Sequence, residues 1–155
     1  MLVFAMIKNW HIRSINFIMA YPQAPINTDI FTKTHKVPSN FCIPDVPSFT
    51  DRFTKVYNLL RNLYSLKGSG KTWFDFLKKG LIERGWSQSE IDPCLFTKNG
   101  ILLIVYVDDA ILITPHKSLI DFEINSLQKS FDMTDDGKLK DYLGTRFYQT
   151  QGWFR

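Results

Sequence analysis

Cysteine is scarce: Cys42 and Cys94 are the only two in 155 residues. A pair cannot form a disulfide framework, nor can it alone supply the four ligands of a structural zinc site. A reduced, intracellular setting, cytoplasmic or nuclear, is therefore expected. Long apolar runs are missing too. Ile101 to Val107 stops at Asp108 and Asp109, and Met1 to Ile7 is too short to span a bilayer, so no membrane partner is expected. There are no internal repeats, no low-complexity tracts and no arginine-rich run. His11, His35 and His116 are scattered without ligand spacing, and none is assigned a role.

What is present is an ordinary globular composition, 45% hydrophobic, 15% aromatic and 22% charged. A chain of this size can bury roughly 70% of its unfolded surface, enough for one sizeable core. The formal net charge is +4 and the sequence pI about 9.1. That balance suits a polyanionic partner, because cationic side chains displace phosphate counterions; it suits a set of solvated lysines equally well.

Pro38 to Asp51 holds Pro38, Pro44 and Pro47 among small polar residues and reads as a long loop. Ser14 to Met19 and Asp29 to Lys33 read as strands, with Phe53 to Leu59 a weaker third. Trp73, Leu77 and Leu81 recur at four-residue spacing behind a Ser69 N-cap, which predicts a helix ending near Gly85. A second helix is predicted from Ser118, with Asp121 in a capping-box position and Ile120, Ile124, Leu127 and Phe131 on one face. Asp135-Asp136-Gly137 reads as a turn and Thr145 to Thr150 as a closing strand. Trp73, Trp86, Phe74 and Phe76 are assigned to the core, and Cys94 to a buried strand position. Strands and helices mix without regular alternation, which predicts an α+β fold with an antiparallel sheet.

The segment Ile101 to Thr114, ILLIVYVDDAILIT, carries the chemistry. Two apolar strands flank a turn with adjacent carboxylates, Asp108 and Asp109. An uncompensated like-charged pair between buried arms is costly, and a hard divalent cation offsets it through oxygen ligation. An ordinary solvated turn accounts for the same residues. A separate motif, Gly68-Ser69-Gly70-Lys71-Thr72, invites a P-loop nucleotide triphosphatase reading. The full pattern needs a glycine at position 65, where Ser65 stands, and a buried strand just before it.

Tyr106-Val107-Asp108-Asp109 between apolar strands resembles the YVDD hairpin of reverse transcriptases, and four further blocks resemble the copia-type retrotransposon branch. They are Ala20 to Pro25 (AYPQAP), Leu63 to Lys67 (LYSLK) followed by Trp73, Ser89 to Phe96 (SEIDPCLF), and Asp141 to Gly144 (DYLG). All occur in family order. The resemblance implies a palm-and-fingers polymerase performing RNA-directed DNA synthesis with Mg²⁺ or Mn²⁺. Its partners would be an RNA or DNA template-primer and deoxynucleotides. Asp108 and Asp109 match two metal-holding catalytic aspartates. Tyr106 corresponds to a residue near the primer terminus, Tyr21 to the aromatic that excludes a ribose 2′-hydroxyl, and Gly70 and Lys71 lie near the incoming nucleotide. The implied coverage of residues 1–155 is a palm with part of the fingers, without thumb, ribonuclease H or integrase segments.

The departures matter as much. The third catalytic aspartate of the family corresponds to Asn16, a neutral amide that cannot neutralise a cation. Ser65 replaces a usual glycine, and Gly68 a usual glutamine. Two expectations follow: a catalytically impaired polymerase, or a non-catalytic remnant of the element that at most binds nucleic acid or protein weakly.

Overall fold

The apolar arms on either side of the acidic pair build the centre of the molecule. The computed structural model describes residues 2–26, 28–33 and 56–147. In chain order these form α1 (Leu2–Ile7), β1 (His11–Phe17), α2 (Ala20–Gln23), β2 (Phe31–Lys33), β3 (Val56–Asn58), α3 (Ser69–Ile82), β4 (Ser87–Gln88), β5 (Leu95–Lys98), β6 (Ile101–Tyr106), β7 (Asp109–Thr114), α4 (Lys117–Gln128), β8 (Met133–Lys138), β9 (Asp141–Tyr142) and β10 (Thr145–Arg146). Six strands make one sheet in the order β4-β5-β6-β7-β1-β8, and every neighbouring pair is antiparallel. The fold is α+β, as the mixed pattern predicts. The predicted loop Pro38 to Asp51 lies outside the described residues.

Strand alternation sorts the sheet into two faces. Ile15, Phe17, Leu103, Val105, Ala110 and Leu112 pack against Trp73, Leu77 and Leu81 of α3 and Ile120, Ile124 and Leu127 of α4. Ile111 and Ile113 point the opposite way, onto Ala5 of α1 and Tyr142 of β9. The two long helices therefore share one face, as expected, and the short α1 covers the other. Trp73 and Trp86 are buried, with Phe74 and Phe76 packed on the same core.

Several local expectations change. The first strand runs His11–Phe17 because its ladder to β7 starts at His11↔Thr114; it ends before Met19, whose left-handed φ of 49° turns the chain into α2. Gly68, not Ser69, caps α3, and the Ser69 hydroxyl donates instead to Asn62 Oδ1 at 3.3 Å. α4 starts at Lys117 behind His116 with no side-chain cap, so the Ser118 capping box does not form. Phe131 lies beyond the end of α4 yet is buried against α3, where Gly80 makes room: a Cβ at position 80 would come within 2.5 Å of the ring. Asp135-Asp136-Gly137 is not a free turn but a bulge within β8, with Ile15 opposite Asp135 and Ser14 opposite Gly137. Cys94 is half-buried and precedes β5. The predicted closing strand shrinks to Thr145–Arg146 among the described residues.

Candidate active site

β6 and β7 are joined by Val107 and Asp108 alone, because Tyr106 pairs directly with Asp109. So short a turn demands a left-handed residue, and Val107 supplies it with φ 54°. A β-branched residue is strained there, by ~1–3 kcal/mol. Outside bonds hold it in place. The Trp73 indole N–H donates to the Val107 carbonyl at 2.8 Å, and the Phe17 amide donates to the Asp108 carbonyl at 2.7 Å. The tryptophan of α3 and the end of β1 thus fix where the carboxylates stand.

Asn16 is the cross-strand partner of Asp109 in the β1–β7 ladder, and its Nδ2 donates to Asp109 Oδ1 at 3.1 Å. An ionised carboxylate only accepts, so the amide must present its NH₂ group. Tyr106, Asp109, Asn16 and Thr134 form one row across four strands. Directly opposed residues share a face, here the one bearing α1. Tyr106 is largely exposed in that row.

Asp108 is approached from the segment leading into α3. The Tyr64 hydroxyl donates to Asp108 Oδ2 at 3.0 Å, while Asp108 Oδ1 is buried with no hydrogen-bond partner among the described residues. Partial burial, then the hydrogen bond and charge of Asp108, push the Tyr64 phenol above its ordinary pKa. The Tyr64 ring lies on Tyr21 at 4.5 Å and 30°. Gly70 closes this corner: a Cβ added there would sit 3.4 Å from the Tyr21 hydroxyl. Tyr21 and Asp108 thus meet at Tyr64, with Gly70 against the Tyr21 hydroxyl. Lys71 is exposed on the first turn of α3.

Two residues that motif reading leaves without a role hold this corner together. One is Tyr64. The other is Asn62, almost fully buried, which donates to the carbonyls of Ala24 and Pro25 and accepts from Ser69. It stitches the AYPQAP segment to the start of α3. Ser65 takes a left-handed φ of 70°, which explains why a glycine suits that position. The residues just before Gly68 form turns rather than a buried strand, and the main sheet is antiparallel. The strand–loop–helix unit of a P-loop is therefore not built.

Among the described residues no three His, Cys, Asp or Glu side chains converge as a metal site. The unpartnered Asp108 Oδ1 beside Asp109 nevertheless suits a divalent cation, which would replace the missing donor. Asp108 and Asp109 are the carboxylates that could hold such an ion; the Asn16 amide turns its NH₂, not its oxygen, toward Asp109. On the α1 face, burial first and then the charge of Asp109 raise the Tyr142 hydroxyl to about 12. Among the described residues no helix is long and apolar enough to cross a membrane.

Comparison with known proteins identifies the family. The family described as "Reverse transcriptase (RNA-dependent DNA polymerase)" matches residues 1–155. The chain is 26% identical over 141 residues to the retrovirus-related Pol polyprotein from transposon RE1 of Arabidopsis thaliana, covering 88% of this chain and 9% of that protein. It is 32% identical over 96 residues to the corresponding polyprotein from transposon TNT 1-94 of Nicotiana tabacum, covering 59% and 7%. With the transposon Ty1-NL2 Gag-Pol polyprotein of Saccharomyces cerevisiae it shares 28% over 135 residues, covering 83% and 7%. The chain thus spans less than a tenth of the length of these curated relatives. No solved structure matches. With the family match running from end to end, the chain belongs to the reverse transcriptase family of copia-type retrotransposons.

Proposed function

We propose that this chain is the palm core, with part of the fingers, of an RNA-directed DNA polymerase, and that Asn16 impairs its catalysis. One observation carries the reading: Asn16 lies opposite Asp109 and bonds to it at 3.1 Å, at the position where the family resemblance calls for a third aspartate. Asp108 and Asp109 would hold Mg²⁺ or Mn²⁺. When bound, such ions activate a primer 3′-hydroxyl and stabilise the charge that develops on the transferred phosphate. The protein's part is positional. Trp73 and Phe17 hold the turn, Tyr106 flanks the carboxylate row near a primer end, and Tyr21 would pack against a deoxyribose. Gly70 faces Tyr21 at the start of α3 and Lys71 follows it on the same turn, where phosphate would meet backbone amides and an ammonium.

Replacing an anion by an amide removes charge neutralisation where phosphoryl transfer depends on it most. Primer extension with Mg²⁺ and with Mn²⁺, comparing wild type with Asn16→Asp, tests the assignment. The expected outcome is little or no extension by wild type and a gain in the variant, strongest with Mn²⁺. Equal extension by both proteins would remove Asn16 from the site.

The non-catalytic alternative is favoured by the same amide and by the absence of a three-carboxylate group among the described residues. It predicts weak nucleic-acid binding that falls steeply with salt, from a net charge of +4, and no extension by either protein.

A further inference from the structure

Asp108 and Asp109 are each engaged at one oxygen by a neutral donor. Asp109 Oδ1 takes the Asn16 amide at 3.1 Å, and Asp108 Oδ2 takes the Tyr64 phenol at 3.0 Å. On Asp108 the oxygen left over is Oδ1, buried and unpartnered among the described residues. A carboxylate tethered at one oxygen cannot rotate freely, so its other oxygen is aimed. Tyr64 is itself well placed to act as the tether. Its ring is stacked on Tyr21, and two residues earlier the buried Asn62 anchors the segment to the carbonyls of Ala24 and Pro25. Yet the Tyr64 side chain is 45% exposed, so its hydroxyl contributes little to the core.

We propose that Tyr64 is a positioning residue: its hydroxyl fixes the Asp108 carboxylate so that Oδ1 faces a divalent cation, and its ring ties that orientation to Tyr21. The proposal rests on Asp108 and Asp109 being cation ligands. Nucleotide and cation sites then share one mechanical element, the Tyr21–Tyr64 stack, so a ligand that shifts Tyr21 is felt at Asp108.

The test uses Mn²⁺ alone and the full chain. Binding is followed by the electron-spin signal of free Mn²⁺ for wild type, Tyr64→Phe and Tyr64→Leu, with thermal melts in EDTA. Loss of an outer partner of a metal ligand typically weakens binding by ~10- to 100-fold, and that loss is expected for both variants. The EDTA melt of Tyr64→Phe should stay close to wild type, which a purely structural role would not allow. Paramagnetic broadening in wild type gives a second measurement: the Tyr64 ring resonances should be among the first lost as Mn²⁺ is added. Wild-type affinity in Tyr64→Phe, or Tyr64 resonances that survive saturation, would overturn the proposal. Wild type that shows no saturable binding at millimolar Mn²⁺ overturns the cation reading itself, and Tyr64 with it.

Discussion

Asn16→Asp exchanges an attractive contact for a repulsive one without changing side-chain size. In the wild type the amide donates to Asp109 Oδ1 at 3.1 Å. A hydrogen bond to a charged group contributes ~1.5–3 kcal/mol, and the variant loses it. Two carboxylates at the same separation repel by ~1 kcal/mol in water and ~5 kcal/mol at a protein-like dielectric of about 20. Both residues are half-buried, and uptake of a proton limits the repulsion, so a total deficit of ~3 kcal/mol is expected without metal. For a chain of this length that corresponds to a drop of ~6–12 °C in Tm. A cation that binds only the folded state restores ~2.7 kcal/mol at a hundredfold excess over its Kd, so most of the deficit should return. Melts in EDTA and in millimolar Mg²⁺ or Mn²⁺ measure both quantities. A variant that melts with wild type in EDTA, and gains no more than wild type from metal, would show that position 16 does not share a site with Asp109.

Trp73→Phe removes the bond to the Val107 carbonyl and part of a fully buried ring; a loss of ~1–3 kcal/mol in urea unfolding is expected, together with weaker Mn²⁺ binding. Lys98 and the buried Glu123 pair at 2.7 Å, with Glu123 Oε2 otherwise unpartnered among the described residues. Lys98→Met alone should cost ~3–5 kcal/mol, and adding Glu123→Leu should recover most of it; equal stability of the single and double variants would refute this. Tyr142 has a buried hydroxyl, unpartnered among the described residues, whose pKa is raised to about 12 from 10.0. Its neutral form stabilises the fold fully below pH 10, and that contribution is lost as the pH rises through 12. Tyr142→Phe should flatten this alkaline loss in pH-dependent melts and cost nothing at neutral pH.

What could be read in advance was what repetition along the chain encodes. The Trp73, Leu77, Leu81 spacing marks α3, and the β-branched run around Asp108 marks the central hairpin, because both patterns reflect one buried face. Position 16 was legible only through the AYPQAP block downstream of it, which fixes the register of the match. Caps were misread because a serine hydroxyl has several possible partners: that of Ser69 turns inward to Asn62, and Gly68 ends up at the cap. Asp135-Asp136-Gly137 has genuine turn chemistry, including the Gly137 amide on Asp135 Oδ1, but β1 recruits it into a bulged strand. α1 is apolar throughout and shows no period; only Asn9, left-handed at φ 54° just past its end, hints at a helix stop. Tyr64 was legible as motif and invisible as a contact, since its hydroxyl reaches an oxygen 44 residues away.

The bulge in β8 also bears on whether one copy of the chain can pair with another edge to edge. Among the described residues β8 is an outer strand of the sheet, and an unpaired outer strand is a template for joining a second sheet edge to edge. Here the outer strand kinks at Asp136, whose carboxylate is exposed, while Asp135 is paired with Arg13 at 2.9 Å, and the strand passes through a left-handed Gly137. A neighbouring chain aligning with it would face the Asp136 carboxylate and a broken ladder. At the opposite end β4 is only Ser87–Gln88, too short to seed a stable pairing. The most apolar strands, β6 and β7, lie inside the sheet, between margins that offer a second sheet edge little to pair with.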